Sequence, residues 1–183
     1  EEAACLSTAW LTAWRMLFTK AALPGTGGTV LVQGAGGGVA TALITLARAG
    51  GLTVLATSRD EAKRRRALEI GAHEVFESNA KLPGKVDAVM ETVGRATWSH
   101  SIRSLRPGGT IVTSGTTSGP DLDDAELQKL ATALPNDTAV LRQLALAPCG
   151  LRGVDLLEQG CDGRLVGRGG RLRRVDVHVV GQR

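Results

Sequence analysis

Val30-Leu31-Val32-Gln33-Gly34-Ala35-Gly36-Gly37-Gly38-Val39-Ala40 is the stretch on which the fold of this chain turns. Thr29 to Gln33 is a short run of mostly branched apolar residues, the pattern of a strand buried on both faces of a parallel sheet. Four glycines, at 34, 36, 37 and 38, then allow a sharp turn. Val39, Ala42, Leu43 and Leu46 follow at i, i+3, i+4 and i+7, which marks one face of a helix. Gly50-Gly51 ends it.

The same alternation continues downstream. Leu52-Thr53-Val54-Leu55-Ala56-Thr57 is a second strand, and a helix runs from about Asp60 to Ile70, stopped by Gly71. Glu74-Val75-Phe76 is a weak third strand and Val86-Asp87-Ala88-Val89-Met90 a fourth. Trp98, Ile102 and Leu105 give the next helix its apolar stripe. Pro107-Gly108-Gly109 turns into a fifth strand, Thr110-Ile111-Val112-Thr113-Ser114. Upstream, Leu11, Trp14 and Phe18 stand at helical spacing before a break at Leu23-Pro24-Gly25-Thr26-Gly27-Gly28. Strands alternating with helices call for an α/β fold, a parallel sheet with right-handed crossovers and helices on both faces.

Glycines after a strand and before a helix have a chemical use. They let the backbone approach a pyrophosphate closely, and the helix N-terminus offers unpaired N–H groups and a positive dipole end. A strict G-x-G-x-x-G fails, because Val39 holds the sixth position from Gly34. A shifted spacing fits, with Gly34, Gly37 and Ala40 small where helix and strand pack closely. With a second strand following, the context is that of a Rossmann-type, doubly wound dinucleotide-binding domain. Gly34, Ala35, Gly36, Gly37, Gly38 and Val39 are its expected phosphate-binding residues.

The end of the second strand bears on which dinucleotide binds. NAD-specific folds place an Asp or Glu there to accept the ribose hydroxyls. This chain has Thr57-Ser58-Arg59. A carboxylate would repel a 2′-phosphate, whereas Ser58 can donate to one and Arg59 can pair with its oxygens. Lys63, about one helical turn on, can join them. The expectation is NADP(H), with Asp60 capping the helix that begins there. The competing reading lets Asp60 serve the ribose while Arg59 and Lys63 decorate a helix start.

Bulk properties narrow the rest. The chain has 183 residues, 43% hydrophobic and 22% charged, an ordinary globular composition. Its formal charge is +4, concentrated in Lys63-Arg64-Arg65-Arg66 and in Arg164, Arg168, Arg171, Arg173 and Arg174. Such runs are read as solvated faces rather than a nucleic-acid surface. Cys5, Cys149 and Cys161 are odd in number and far apart, which supports neither a disulfide framework nor a zinc knuckle, so a reduced cytoplasmic setting is expected. No run is apolar for long enough to span a membrane. The chain opens on Glu1 rather than Met, which suggests a piece of a longer protein.

Thr12-Ala13-Trp14, Gly34-Ala35-Gly36-Gly37-Gly38-Val39, Glu69-Ile70-Gly71-Ala72, Glu91-Thr92-Val93-Gly94 and Leu105-Arg106-Pro107-Gly108-Gly109 occur in that order. The ordered set resembles the cofactor domain of medium-chain dehydrogenase/reductases, the zinc-type alcohol dehydrogenase and quinone oxidoreductase superfamily, over roughly residues 2 to 119. The resemblance implies that Thr12 lies near the nicotinamide, with Trp14 in place of a usual Tyr. It also implies that Thr92, Val93 and Gly94, with Ser114, Gly115 and Thr116, line the nicotinamide ribose and carboxamide. In the family's zinc enzymes a Cys four residues before that threonine ligates the catalytic metal. Here Thr8 stands at that position and Cys5 is three residues too early, so the zinc-independent branch is implied and no metal is expected. Cys5 then reads as a small buried hydrophobe.

The family's β-rich N-terminal substrate domain has no counterpart in the sequence. Residues 1–130 are expected to form the dinucleotide-binding domain. Residues 131–183 contain no Lys, Ile, Phe, Trp or Met and are rich in Arg and Gly, an atypical tail expected to be irregular. Within it Val175 to Val180 could add one strand at the sheet edge. An open edge would favour a homodimer.

Other classes are excluded. Short-chain dehydrogenases need a catalytic Tyr and the chain has none; no G-K-[ST] follows the glycines, as a P-loop requires. A methyltransferase would want an acid where Arg59 stands. The expected function is therefore the cofactor part of an NADPH-dependent oxidoreductase that passes hydride to a quinone, enone or aldehyde. The alternative is a truncated nucleotide-binding module with no activity of its own. No residue stands out as a general acid, and His73 and His100 read as structural or exposed.

Overall fold

In the computed structural model the described residues are 6–21, 23, 27–115, 117 and 118, together with the backbone of 176–179. They begin with a helical stretch, α1, made of a π-helical segment Leu6–Trp10, an α-helical turn Leu11–Trp14 and a second π-helical segment Arg15–Lys20. Then β1 (Thr29–Val32), α2 (Gly38–Ala49), β2 (Thr53–Thr57), α3 (Glu61–Glu69), β3 (Glu74–Phe76), β4 (Val86–Glu91), α4 (Arg95–Ser104), β5 (Leu105–Thr113) and β6 (Asp176–Val179) follow. All strand pairs are parallel, in the order β3-β2-β1-β4-β5-β6. That is the order of doubly wound dinucleotide-binding sheets, and it reverses direction between β1 and β4.

The strands are apolar because both faces of the sheet are covered. Val30, Val32, Val54, Ala56, Met90 and Val112 bury one way, with Ala13, Met16 and Leu17 of α1 and Ala40, Leu43, Ile44 and Ala47 of α2. Leu31, Leu55, Val89 and Ile111 bury the other way, against Trp98 and Ile102 of α4. Alternate residues of each strand thus serve opposite layers. Asp60 caps α3 through its side chain, which accepts from the Lys63 N–H at 3.1 Å. Gly71, at φ +120°, ends the turn after that helix.

Two local features depart from the sequence pattern. Leu11, Trp14 and Phe18 are helical as their spacing suggests, yet they are 53%, 52% and 42% exposed. The core face of α1 is Ala13, Met16 and Leu17, with Trp10 packed partly buried against the same cluster, where α1 passes close to the start of α2. The β carbon that Gly38 lacks would lie 3.6 Å from Ala9 Cβ. Next, Pro107-Gly108-Gly109 is not a separate turn but a bulge within β5. Val86 pairs with Leu105 and Ala88 with Thr110, so two steps along β4 match five along β5. Asp87 sits opposite the bulge, accepting from Thr29 N at 2.7 Å and Arg106 Nε at 2.5 Å. Burial opposes ionisation of Asp87, but those donors outweigh it and hold the carboxyl below its ordinary range.

Asp176–Val179, within the Val175 to Val180 stretch of the tail expected to add an edge strand, joins the sheet. Thr110↔Asp176 through Thr113↔Val179 extend it beyond β5 as a sixth parallel strand. The remaining residues of that tail, and Cys5, Cys149 and Cys161, lie outside the described residues.

Candidate functional site

The C-terminal ends of β1, β2, β4 and β5 meet at the point where the strand order reverses. From β1, Gln33 continues the ladder with its N–H to Met90 O at 3.0 Å. The chain then turns at Gly34, with φ +75°. A β carbon there would fall 2.5 Å from Val93 Cγ2, so no side chain can occupy the position without displacing Val93. Ala35 N–H donates to Thr57 O at 2.8 Å and ties the turn to the end of β2. At Gly36, φ +111°, a β carbon would meet Lys63 Cδ at 2.5 Å. The aliphatic stem of Lys63 therefore lies across the turn, with its side chain exposed.

Gly37 is the N-cap of α2, in extended conformation, with no side-chain capping bond and no acidic residue in the first turn. Nothing lies within 4 Å of where its β carbon would be. The first turn of a helix has N–H groups without intrahelical acceptors. At α2 they face open space, and Gly36, Gly37 and Gly38 are exposed. Dipole, donors and space together favour an anion.

Beside the turn, Ser58 is buried. Its N–H donates to Phe76 O at 3.1 Å, its carbonyl accepts from Arg64 Nη1 at 2.7 Å, and its Oγ accepts from Asp60 N at 3.3 Å. Among the described residues the Ser58 hydroxyl proton has no acceptor. Arg59 is exposed and makes no hydrogen bond or ion pair with another of the described residues. Arg64 was part of a run read only as surface charge; it fastens the Ser58 carbonyl and so holds the loop that carries Arg59.

On the β4 side, Thr92 Oγ1 donates to Gln33 O at 3.0 Å. Thr92 O accepts from Thr117 Oγ1 at 2.7 Å, and Val93 O accepts from both the N–H and the Oγ–H of Ser118, each at 2.7 Å. Ser114 N–H reaches Glu91 O at 2.9 Å. Gly94 and Gly115 both have φ +93°. The expected residues Gly34, Thr92, Val93, Gly94, Ser114 and Gly115 thus form one contiguous wall, and Ser58, Arg59 and Lys63 stand on the other side of the glycine turn. Thr116 lies outside the described residues. Thr12 is half-buried in α1, and no hydrogen bond joins its side chain to that wall among the described residues.

Sequence reasoning missed the polar layer beneath the wall. Gln33 and Glu91 are fully buried, and Thr57, Thr97, His100 and Ser101 are buried around them. Gln33 Oε1 accepts from Thr57 Oγ1 at 2.5 Å, while Nε2 lies 2.9 Å from Ser101 Oγ and 2.8 Å from His100 Nδ1. His100 Nε2 is 2.7 Å from Ala80 O. With an amide donor on one ring nitrogen and a carbonyl on the other, the network requires the neutral Nε2–H tautomer. Burial pushes its pKa below the ordinary value, Arg103 adds to this, and the Ala80 carbonyl and Glu91 oppose it. The signal was present in the sequence: Gln33 directly follows the apolar run Val30-Leu31-Val32, and Glu91 the run Ala88-Val89-Met90. His73, also singled out, is exposed and accepts from Val54 N at 2.9 Å through Nδ1.

A cavity of about 460 Å³ lies along α4, lined by Asn79, Arg95, Ala96, Ser99, Arg103 and Ser118, and holds none of the expected cofactor residues. Among the described residues no group of three or more His, Cys, Asp or Glu side chains is gathered to hold a metal, and no helix is long and apolar enough to cross a membrane.

Known proteins share this arrangement. The chain is 31% identical to the rat (Rattus norvegicus) quinone oxidoreductase over 144 residues, which is 73% of the chain and 43% of that relative. It therefore spans less than half the length of that relative. A mycobacterial protein, Rv1454c, solved in complex with NADPH, superposes with a TM-score of 0.61 at 28% identity, over 70% of this chain and 43% of the other. A structure described as an NAD-dependent alcohol dehydrogenase gives 0.60 at 31% identity, over 70% and 41%. The zinc-binding dehydrogenase family model matches residues 38–147, from the open helix N-terminus past the β5 loop. The chain belongs to that family, and its described residues form the cofactor-binding domain of a medium-chain dehydrogenase/reductase.

Proposed function

We propose that this chain is the cofactor half of a zinc-independent, NADPH-dependent oxidoreductase that delivers hydride to a quinone, enone or aldehyde. The observation that carries the reading is the uncapped N-terminus of α2, open above a glycine turn at the β1/β4 switch point. In this reading residues 1–130 bind the dinucleotide, and the substrate is held mainly by groups outside this chain. The N–H groups around Gly37 and Gly38 bind the pyrophosphate, Thr92, Val93, Gly94, Ser114 and Gly115 line the nicotinamide end, and Thr12 approaches it from α1. The preference for a 2′-phosphate rests on Ser58, Arg59 and Lys63, together with the lack of an acid at the end of β2. The NADPH named in the complex of one structural relative supports the same choice.

Hydride chemistry belongs to the nicotinamide ring. The chain's own residues bind, orient and exclude water. Neither histidine whose side chain is described is placed as an acid: His100 is spent within the core network, and His73 bonds the β2 backbone. Those two partners favour the second reading as regards this chain taken alone, a module that binds nucleotide without turning substrate over. Titration of the chain with NADPH and NADH, followed by turnover assays with quinone, enone and aldehyde acceptors, tests both readings. Failure to bind either dinucleotide overturns the first.

A further inference from the structure

We propose that Glu91 is a positioning residue of the nucleotide crevice, whose buried carboxylate sets the Thr92–Gly94 wall for the nicotinamide half; the inference rests on the cofactor reading above. A buried carboxylate is costly unless its oxygens are fully bonded. Two of the bonds to Glu91 come from the segment it would position, and the others from hydroxyls of α4, the helix that follows it. Oε1 accepts from Val93 N at 2.8 Å, Gly94 N at 3.0 Å and Thr97 Oγ1 at 2.9 Å. Oε2 accepts from Thr97 Oγ1 at 3.0 Å and Ser101 Oγ at 2.5 Å.

Gly94, the N-cap of α4, has no side chain with which to cap. Ser118 caps the first turn instead, its Oγ accepting from Ala96 N at 3.0 Å, while Glu91 holds the two N–H groups just before the helix and its charge complements the helix's positive end. Capture of two successive N–H groups draws Val93 inward until Cγ2 fills the place of the missing Gly34 side chain. Ser101 relays the same constraint to Gln33, and Gln33 to Thr57. One carboxylate thus connects the ends of β1, β2 and β4, the strands that border the crevice. Every direct bond of the carboxylate falls on residues 93–101, and β2 is reached only through Ser101 and Gln33, so the larger effect is predicted on the nicotinamide half. The adenosine half would meet Ser58, Arg59 and Lys63, none of which bonds to Glu91.

The test titrates the full chain with NADPH and with 2′,5′-ADP, which carries the adenosine half alone, with the melting temperature measured alongside. Glu91→Ala is expected to weaken NADPH about tenfold and 2′,5′-ADP less than about twofold, since only contacts to the nicotinamide end lose their support. Glu91→Gln, whose remaining oxygen can still accept from Val93 and Gly94, should restore most of the NADPH affinity. Should Glu91→Ala not fold, Thr97→Val removes one donor and keeps the carboxylate, with a smaller loss of the same selectivity. Equal loss of both ligands, or undiminished NADPH binding in a folded Glu91→Ala or Thr97→Val chain, overturns the proposal. A wild-type chain that binds neither ligand overturns the cofactor reading, and the role of Glu91 falls with it.

Discussion

Replacing Gly37 by alanine separates what the glycine turn does for folding from what it does for binding. Gly37 has φ −92° and ψ 165°, a conformation open to any residue, and its added methyl would meet nothing within 4 Å. Reduced freedom of the unfolded chain should stabilise Gly37→Ala by about 0.4–1 kcal/mol. Alanine is a poorer N-cap than glycine by a similar amount, so the net change in stability should be within about 0.5 kcal/mol. A phosphate at the first turn of α2 must nonetheless come within hydrogen-bond distance of the backbone, and a methyl at the N-cap adds bulk at that approach. Gly34→Ala is the contrasting change. It places a side chain at φ +75°, costing about 1–2 kcal/mol. Its methyl also falls 2.5 Å from Val93 Cγ2, an overpacking that costs about 1–3 kcal/mol more. The pair is read by urea denaturation and by fluorescence titration with NADPH. Gly37→Ala should melt like the wild type yet bind at least about tenfold more weakly, the loss expected when close backbone approach is blocked. Gly34→Ala should be destabilised by about 2–5 kcal/mol, the sum of its two costs. Undiminished NADPH affinity in Gly37→Ala would refute the placement of a phosphate at the start of α2.

Arg59→Ala should cost about 1.5–3 kcal/mol of NADPH affinity, the usual worth of a charged hydrogen bond, and leave NADH affinity nearly unchanged; equal losses would show that Arg59 does not discriminate. Because the folded-state pKa of His100 lies below its ordinary value, the unfolded chain binds the extra proton first. Its contribution to stability is therefore full above the ordinary pKa of about 6.5 and is lost as pH falls from there towards the folded value. Urea midpoints of the wild type should rise with pH across that window, and His100→Asn should flatten the rise; an unchanged slope would remove His100 as its source. Metal analysis of the purified chain should find well under one equivalent of zinc, since Thr8 stands where the zinc enzymes carry a cysteine. A stoichiometric, chelator-resistant zinc would contradict the zinc-independent reading.

Sequence alone was enough for the elements and their alternation, because each depends on neighbours along the chain. Buried parallel strands show as apolar runs, Asp60 caps the helix it precedes, and glycines mark the turns that need positive φ. It was enough, too, for the glycine turn and for the missing acid after β2, both local facts about one loop. What it left open depended on contacts between distant segments. The exposure of Leu11, Trp14 and Phe18 is one such case, since periodicity reports a face without saying what covers it. Pro107-Gly108-Gly109 became a bulge because Asp87, on the neighbouring strand, binds Arg106 across it. The union of Glu91, Ser101, Gln33 and Thr57 into one buried network joins residues up to 68 positions apart. A buried carboxylate is tolerable only where folding brings enough donors to it, so only the tertiary structure could decide that Glu91 shapes the crevice.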